Sequence, residues 1–226
     1  MPTEIIKRRE LKVIRDSSYG LSAVKHELQL VAEFPERRVN SLYFDDINYS
    51  DMNDNLAGIG RRKKQRLRWY GDTTPDALHK EQYATWEIKS RDGVMSSKAT
   101  EKIIIRQEMP INAFQIGKLL SDQHASYSFH EKLIPVLFCS YLRNYFLFSG
   151  CVRVTIDRKI NYAIPMCSEN IKVSRPQSDI RTILEIKFDV AAENKAKELL
   201  QFLNLRPQRH SKYVHGLAMH GMCQYF

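Results

Sequence analysis

The feature that most constrains this chain is a set of short segments in which charged and apolar residues alternate with a period of two. In residues 62 to 70, every even-numbered position up to 68 is cationic, whereas Leu67 and Trp69 occupy odd positions. Successive side chains of a strand point to opposite faces, so this segment predicts a strand with one charged face and one increasingly apolar face. The cationic positions are Arg62, Lys64, Arg66 and Arg68.

The same alternation recurs as Glu-x-Lys beside large apolar residues, at Glu10–Lys12, Glu87–Lys89 and Glu185–Lys187. Arg143 and Arg153 likewise alternate with apolar neighbours. One such segment would be an ordinary surface strand with a solvated outer face. Five or six favour a barrel with an apolar exterior, covered by helices, and a charged interior.

Strand-like segments outnumber helical ones, and the helices occur singly rather than in a βαβ rhythm. This pattern indicates an α+β fold with a largely antiparallel sheet, here predicted as an antiparallel β-barrel with flanking helices. The predicted strands are Arg8–Arg15, Arg38–Phe44, Arg62–Tyr70, Thr85–Ser90, Leu137–Phe148, Val152–Ile156 and Thr182–Phe188. The predicted helices are Leu21–Ala32, Ile111–Ser121, Ala191–Phe202 and Lys212–Cys223.

The organisation of the chain suggests one cytoplasmic domain. The 226 residues contain no visible linker, repeat or low-complexity tract, so we expect a single domain over residues 1–226. The four cysteines form no CxxC pair, which is typical of reduced thiols in a cytoplasmic protein. The charged N-terminus does not resemble a signal peptide, and we expect no membrane span.

The net charge of +9 predicts a polyanionic partner. Cations on the inner face of a barrel need counter-charge, and phosphates supply it. Carboxylates among those cations are suited to a hard divalent ion such as Mg²⁺ or Mn²⁺. The aromatic residues of the Leu137–Phe148 segment could instead stack on nucleic-acid bases, but their mixed faces favour packing in a core. They are Phe138, Tyr141, Tyr145, Phe146 and Phe148.

Seven blocks, in this order along the chain, resemble the VTC domain. They are Arg8–Lys12, Val39–Asp45, Arg62–Tyr70, Trp86–Lys89, Arg153–Asp157, Leu184–Phe188 and His210–Val214. This family belongs to the triphosphate tunnel metalloenzymes, relatives of the CYTH phosphatases and adenylyl cyclases. The resemblance implies a tunnel of about eight antiparallel strands. It also implies polyphosphate synthesis from ATP or another nucleoside triphosphate with a divalent metal, typically Mn²⁺, or with Mg²⁺.

The resemblance also implies roles for individual residues. Glu185 matches the metal-binding glutamate, and Glu10 and Glu87 are its expected helpers. Arg62, Lys64 and Lys98 are further candidates for this site, as cofactor-binding residues. The residues expected to line the phosphate path are Lys12, Arg66, Arg68, Lys89, Arg143, Arg153, Lys187 and Lys212.

Two other functions fit the same residues. One is hydrolysis of triphosphate or short-chain polyphosphate, with water as the acceptor. The other is non-enzymatic binding of a polyanion, which would need the cations but not Glu185 and its metal. No specific nucleic-acid partner is expected.

Overall fold

The computed structural model describes residues 8–16, 25–26, 28–75, 82–93, 95–105, 133–167, 171–204 and 206–224. The strands are β1 Arg8–Asp16, β2 Val31–Asp45, β3 Arg62–Tyr70, β4 Gln82–Asp92, β5 Met95–Ile105, β6 Ile134–Phe148, β7 Val152–Ala163, β8 Pro165–Cys167, β9 Ile171–Val173, β10 Gln177–Asp179 and β11 Arg181–Asp189. The helices are α1 Ser50–Leu56, α2 Glu193–Leu203 and α3 Lys212–Met219.

The main sheet is open. Its hydrogen-bonded order is β1-β11-β7-β6-β2-β3-β4-β5, β10 pairs with β7, and β8 and β9 form a separate hairpin. In the part of the chain that the structure describes, no ladder joins β1 to β5, so the predicted closed barrel is wrong. The predicted antiparallel pairing and the small number of helices are confirmed. Alternation specifies which side chains share a face, whereas closure depends on strand tilt and on pairing of the two edge strands.

The chain forms two compact units. Unit 1 comprises Met1–Arg37, Tyr141–Ile160 and Asp179–His210, and unit 2 comprises Arg38–Ser140, Asn161–Ser178 and Ser211–Phe226. The single domain over residues 1–226 stays a prediction.

In unit 1, the register of β1, β11 and β7 separates a polar face from an apolar one. Lys12 lies opposite Glu185, which lies opposite Thr155 on the next strand. On the other face, Val13, Leu184 and Val154 are buried in a core that also includes residues of α2. The Arg15 guanidinium donates to the carbonyl of Leu203 at 2.7 Å, which satisfies an acceptor at the C-terminus of α2. The helix residues in this core are Ala196, Leu199 and Leu203.

In unit 2, the register of β2, β3 and β4 produces the same division. Tyr43 lies opposite Arg66, which lies opposite Glu87. The other face contributes Leu67 and Trp86 to a second core. Helix α3 begins after Ser211, whose hydroxyl accepts a hydrogen bond from the Val214 backbone N–H at 3.4 Å.

The predicted helices had mixed outcomes. α2 and α3 are confirmed, although α2 begins at Glu193 after a 3₁₀ turn at Val190–Ala192, and α3 ends at Met219. The helix predicted over Leu21–Ala32 is wrong at its end, because β2 begins at Val31. The helix predicted at Ile111–Ser121 lies outside the described residues. Among the helices that the structure describes, none is long and apolar enough to cross a membrane.

Candidate functional site

The polar face of unit 2 contains a cluster in which three cations surround one carboxylate. Arg66 donates from Nε to Glu87 Oε2 at 2.7 Å, and its Nη2 lies 2.6 Å from the same oxygen. Lys98 Nζ donates to the other oxygen of Glu87 at 2.8 Å, and Arg68 Nη1 lies 3.7 Å from Oε2. Arg66 also donates to the Tyr43 hydroxyl at 3.1 Å. We call Arg66, Arg68, Glu87 and Lys98 the Glu87 cluster.

These cations keep Glu87 ionised. Burial by itself would raise the pKa of Glu87, but Arg66, Arg68 and Lys98 outweigh it and lower the pKa to about 2. At neutral pH the cluster therefore carries three positive charges and one negative charge. Its carboxylate holds the arginine side chains in fixed orientations, while the excess positive charge is suited to an anion.

A row of lysines crosses the same face. Lys64 of β3 lies directly opposite Lys89 of β4, which lies directly opposite Lys98 of β5. Like charges directly opposite each other on neighbouring strands destabilise a sheet, and an anion bound across them relieves that repulsion. Lys64 Nζ donates to the Ser211 hydroxyl at 2.7 Å, and Lys89 is exposed.

Two more residues of unit 2 were predicted from the sequence. Arg62 donates from Nη1 to the carbonyl of Ile59 at 2.7 Å. Lys212 is the half-buried first residue of α3 and directly follows Ser211, the residue that Lys64 contacts. The structure therefore brings the start of α3 beside the lysine row.

The polar face of unit 1 contains a second cluster, around Glu185, which is 9% exposed. Lys187 Nζ lies 3.4 Å from Glu185 Oε1, and Arg143 Nη2 donates to Oε2 at 3.3 Å. Burial would raise the pKa of Glu185, but Lys187, Lys12 and Arg143 outweigh it and hold the pKa well below 4.5. Glu10 lies on the same face, opposite Lys187 in the register of β1 and β11, and it also contributes to the lowered pKa of Glu185. We call these five residues the Glu185 cluster.

Lys12 is oriented by two further contacts. Its ammonium group lies 3.2 Å from Glu10 Oε1 and donates to the carbonyl of His210 at 3.0 Å. Arg153 lies opposite Lys187 in the register of β7 and β11, but its side chain is 59% exposed and lies 3.8 Å from Glu33. Arg153 therefore shares a face with the Glu185 cluster, while its ion pair is with Glu33.

Sequence reasoning missed the strongest partner of Arg143. Asp157 is fully buried and accepts two hydrogen bonds from Arg143, at 2.5 Å to Oδ1 and 2.7 Å to Oδ2. Burial would lower the pKa of Arg143, but Asp157 outweighs it and raises that pKa well above its ordinary value. Asp157 occupies an odd position of β7, like Arg153, and this parity was a signal that could have identified it.

A second missed feature is a buried pair of aspartates in unit 2. Asp45 accepts hydrogen bonds from the backbone N–H groups of Asp51 and Met52, both at 3.0 Å, and from the Tyr213 hydroxyl. Burial and the charge of Asp45 raise the pKa of Asp51 to about 7. The pair connects α1 to α3, because Asp51 belongs to α1 and Tyr213, which donates to Asp45, belongs to α3. The Tyr213 ring also stacks on Tyr43, with ring centroids 5.2 Å apart.

The donors near Glu185 are compatible with a divalent metal. Glu10 and Glu185 share this face on the neighbouring strands β1 and β11, and both offer the oxygen ligands that Mg²⁺ and Mn²⁺ prefer. Over the described ranges, no group of three or more His, Cys, Asp or Glu side chains could hold a metal. A metal here would need water or phosphate oxygens to complete its coordination. Glu87 belongs to unit 2, so its role as a metal ligand stays a prediction.

Comparisons with known proteins agree with the sequence motifs. The family model of the VTC domain matches residues 3–220, which confirms the predicted resemblance. No curated protein matches the chain. A solved structure from Pyrococcus horikoshii is 11% identical, with a TM-score of 0.51, over 94% of this chain and 98% of that one. A Hippeastrum protein, described as a candidate adenylyl cyclase with a dominant triphosphatase activity, is 16% identical, with a TM-score of 0.51, over 95% and 96%. At these identities the likeness concerns the fold alone.

Proposed function

Because the chain belongs to the VTC domain family, we propose that it catalyses metal-dependent phosphoryl transfer and makes polyphosphate from ATP or another nucleoside triphosphate. The observation that carries this proposal is the Glu185 cluster. A carboxylate that is 9% exposed stays ionised there among Lys12, Lys187 and Arg143, beside the second carboxylate of Glu10. Non-enzymatic binding of a polyanion would need the cations alone, whereas two neighbouring carboxylates provide ligands for a metal.

The cations of unit 2 bind phosphate oxygens in this proposal. Arg66 and Arg68 present planar guanidinium groups whose orientation Glu87 already fixes, so less conformational entropy is lost when phosphate binds. The row of Lys64, Lys89 and Lys98 supplies point charges that follow a chain of phosphates. Glu87 stays ionised throughout and limits the repulsion among these cations.

In unit 1, Glu185 and Glu10 would hold the divalent ion. When bound, such an ion neutralises charge on phosphate oxygens and so favours transfer of the phosphoryl group. Arg143, clamped by Asp157, keeps the Glu185 carboxylate in place at 3.3 Å. Lys12 lies beside the Glu10 carboxylate and Lys187 beside that of Glu185, so both are placed to contact a phosphate next to these carboxylates.

The decisive experiment incubates the pure protein with ATP and Mn²⁺ and separates long polyphosphate from free phosphate. Long polyphosphate supports the proposal. Release of free phosphate alone would favour the hydrolase over the polymerase. Absence of any turnover would favour non-enzymatic binding of a polyanion. Phosphoryl transfer depends mainly on positioning and charge neutralisation, so the same residues serve either acceptor.

A pair of variants tests the roles of the two clusters. Glu185→Gln keeps the side chain's size and should lower metal-dependent turnover by orders of magnitude, while metal-free binding of tripolyphosphate persists. Arg66→Ala should weaken tripolyphosphate binding with or without metal, because Arg66 acts through direct phosphate contacts. Glu193→Gln is the matched control, since Glu193 is an ion-paired glutamate of unit 1 outside the cluster. Unchanged turnover in folded Glu185→Gln would remove the metal-site assignment.

A further inference from the structure

An aromatic and arginine platform lies in unit 1 and is not used by the proposed chemistry. The Phe34 and Tyr145 rings meet edge to face, with centroids 5.9 Å apart and planes at 89°. The Arg37 guanidinium lies 4.8 Å from the Tyr145 ring centroid and 6.0 Å from that of Phe34. We call these three residues the Phe34 platform.

The platform is open to solvent where the neighbouring aromatic residues are not. Phe138, Tyr141 and Phe146 are at most 7% exposed, so the predicted core packing is confirmed for them. Tyr145 is only half-buried, and Phe34 is 51% exposed. An aromatic ring exposed to this extent beside an arginine provides a flat surface for another π system.

The strand places this platform next to the Glu185 cluster. Tyr145 follows Arg143 by two residues on β6, so both side chains are on the same face, with Cα atoms about 7 Å apart. Arg143 donates to Glu185. A ligand whose phosphate lies at the Glu185 cluster would therefore have its other end within reach of the platform.

The charges around the platform are balanced. Glu33 lies 3.8 Å from Arg153, and Glu36 forms a close ion pair with Arg158. Arg37 adds a positive charge at the rings themselves. An anionic ligand with an aromatic end therefore meets no uncompensated carboxylate among these residues.

We propose that the Phe34 platform binds the base of a nucleoside triphosphate whose phosphates occupy the Glu185 cluster. This inference rests on the proposed function and adds to it a binding site for the base of the nucleotide donor. The base stacks on the exposed Phe34 ring and against the Arg37 guanidinium. Stacking of this kind accepts any base, since every base has a π face, so the platform distinguishes nucleotides from inorganic phosphates rather than one base from another.

The test compares two ligands on the same variants. Binding of ATP and of inorganic tripolyphosphate is measured by titration calorimetry in EDTA, which prevents metal-dependent turnover. Phe34→Ala should weaken ATP binding about tenfold or more and leave tripolyphosphate binding unchanged. Phe34→Trp should retain ATP binding. Phe202→Ala is the matched control, because Phe202 is a 66% exposed phenylalanine of the same unit on α2.

The outcomes separate this inference from the proposed function. Equal affinities of wild type and Phe34→Ala for ATP would overturn the platform, and so would an equal loss for both ligands. In either case, binding of tripolyphosphate by the wild type would still support the proposed phosphate site. If the wild type binds neither ligand, the phosphate site and the platform are both refuted.

Discussion

Replacing Asp51 by asparagine should change how the stability of the protein depends on pH. Asp51 is 4% exposed and lies beside Asp45, which is 1% exposed. Burial and the Asp45 charge raise the pKa of Asp51 from 3.8 to about 7, although Lys63 and Gln65 act in the opposite direction. Asparagine resembles the protonated acid in shape but cannot ionise.

The sign follows from proton binding. Between pH 3.8 and about 7, Asp51 is protonated in the folded protein and ionised in the unfolded chain. The folded state then binds more protons, so its stability is greatest below this window and is lost as pH rises through it. One such group gives a slope of up to about 1.4 kcal/mol per pH unit. Over the full window the loss approaches about 4 kcal/mol as an upper bound.

The assay is urea unfolding at several pH values between 5 and 7. The wild type should lose stability as pH rises, and Asp51→Asn should show a slope that is shallower by about 1 kcal/mol per pH unit. The depressed pKa values of Glu87 and Glu185 act in the opposite sense, because the stability they provide is lost as pH falls below about 4.5. Their effect therefore lies mostly outside this range.

A matched control is Asp54→Asn, which removes another carboxylate of α1 that is not part of the buried pair. It should keep the slope of the wild type. Parallel profiles for the wild type and Asp51→Asn would refute the reasoning, because they would mean that Asp51 gains no proton on folding in this range.

Two further substitutions test packing and charge. Asp157→Asn should lower the free energy of unfolding by about 3–5 kcal/mol in urea titrations, because it breaks a buried ion pair with Arg143. The control Asp189→Asn, at an exposed position, should have little effect. A loss below about 1 kcal/mol in Asp157→Asn would contradict this assignment. Gly216→Ala should destabilise by about 1–3 kcal/mol, although alanine normally favours helix, because its Cβ would lie 2.5 Å from Tyr162 Cδ1 and 2.7 Å from Leu137 Cδ2. A raised melting temperature in Gly216→Ala would contradict this prediction, because it would mean that Tyr162 and Leu137 move aside without loss of stability.

The strands with strict alternation were predictable from the sequence. β3 has the predicted bounds Arg62–Tyr70, and β1 and β11 differ from their predictions by a residue or so. β5 was missed because its first half, Met95–Thr100, consists mostly of small residues without a clear alternation of charged and apolar positions, and its position depends on pairing with β4. β2 was predicted too short, since Phe34-Pro35 resembles a turn. Proline is tolerated in strands where its missing N–H is not required.

The same alternation predicted which cations share a face but not which carboxylate each contacts. Arg143 was expected to line a phosphate path, and the structure shows its guanidinium held by Asp157 and Glu185. Asp45 and Tyr213 are separated by 168 residues, so nothing local in the sequence indicates their hydrogen bond. Contacts of this kind depend on the tertiary fold, which period-two patterns do not encode.

The internal carboxylates explain why arginines and lysines have different roles in these clusters. Arg66 and Arg143 each contact a buried carboxylate through two nitrogens, so their planar groups are oriented before a ligand arrives. Lysine is a flexible point charge, and the row formed by Lys64, Lys89 and Lys98 places such charges side by side across three strands. In the proposed function, the oriented arginines would select the geometry of a phosphate group, whereas the lysine row would accommodate phosphates at varying positions. A polyphosphate that slides as it grows would use both properties, and a single small anion would need only the first.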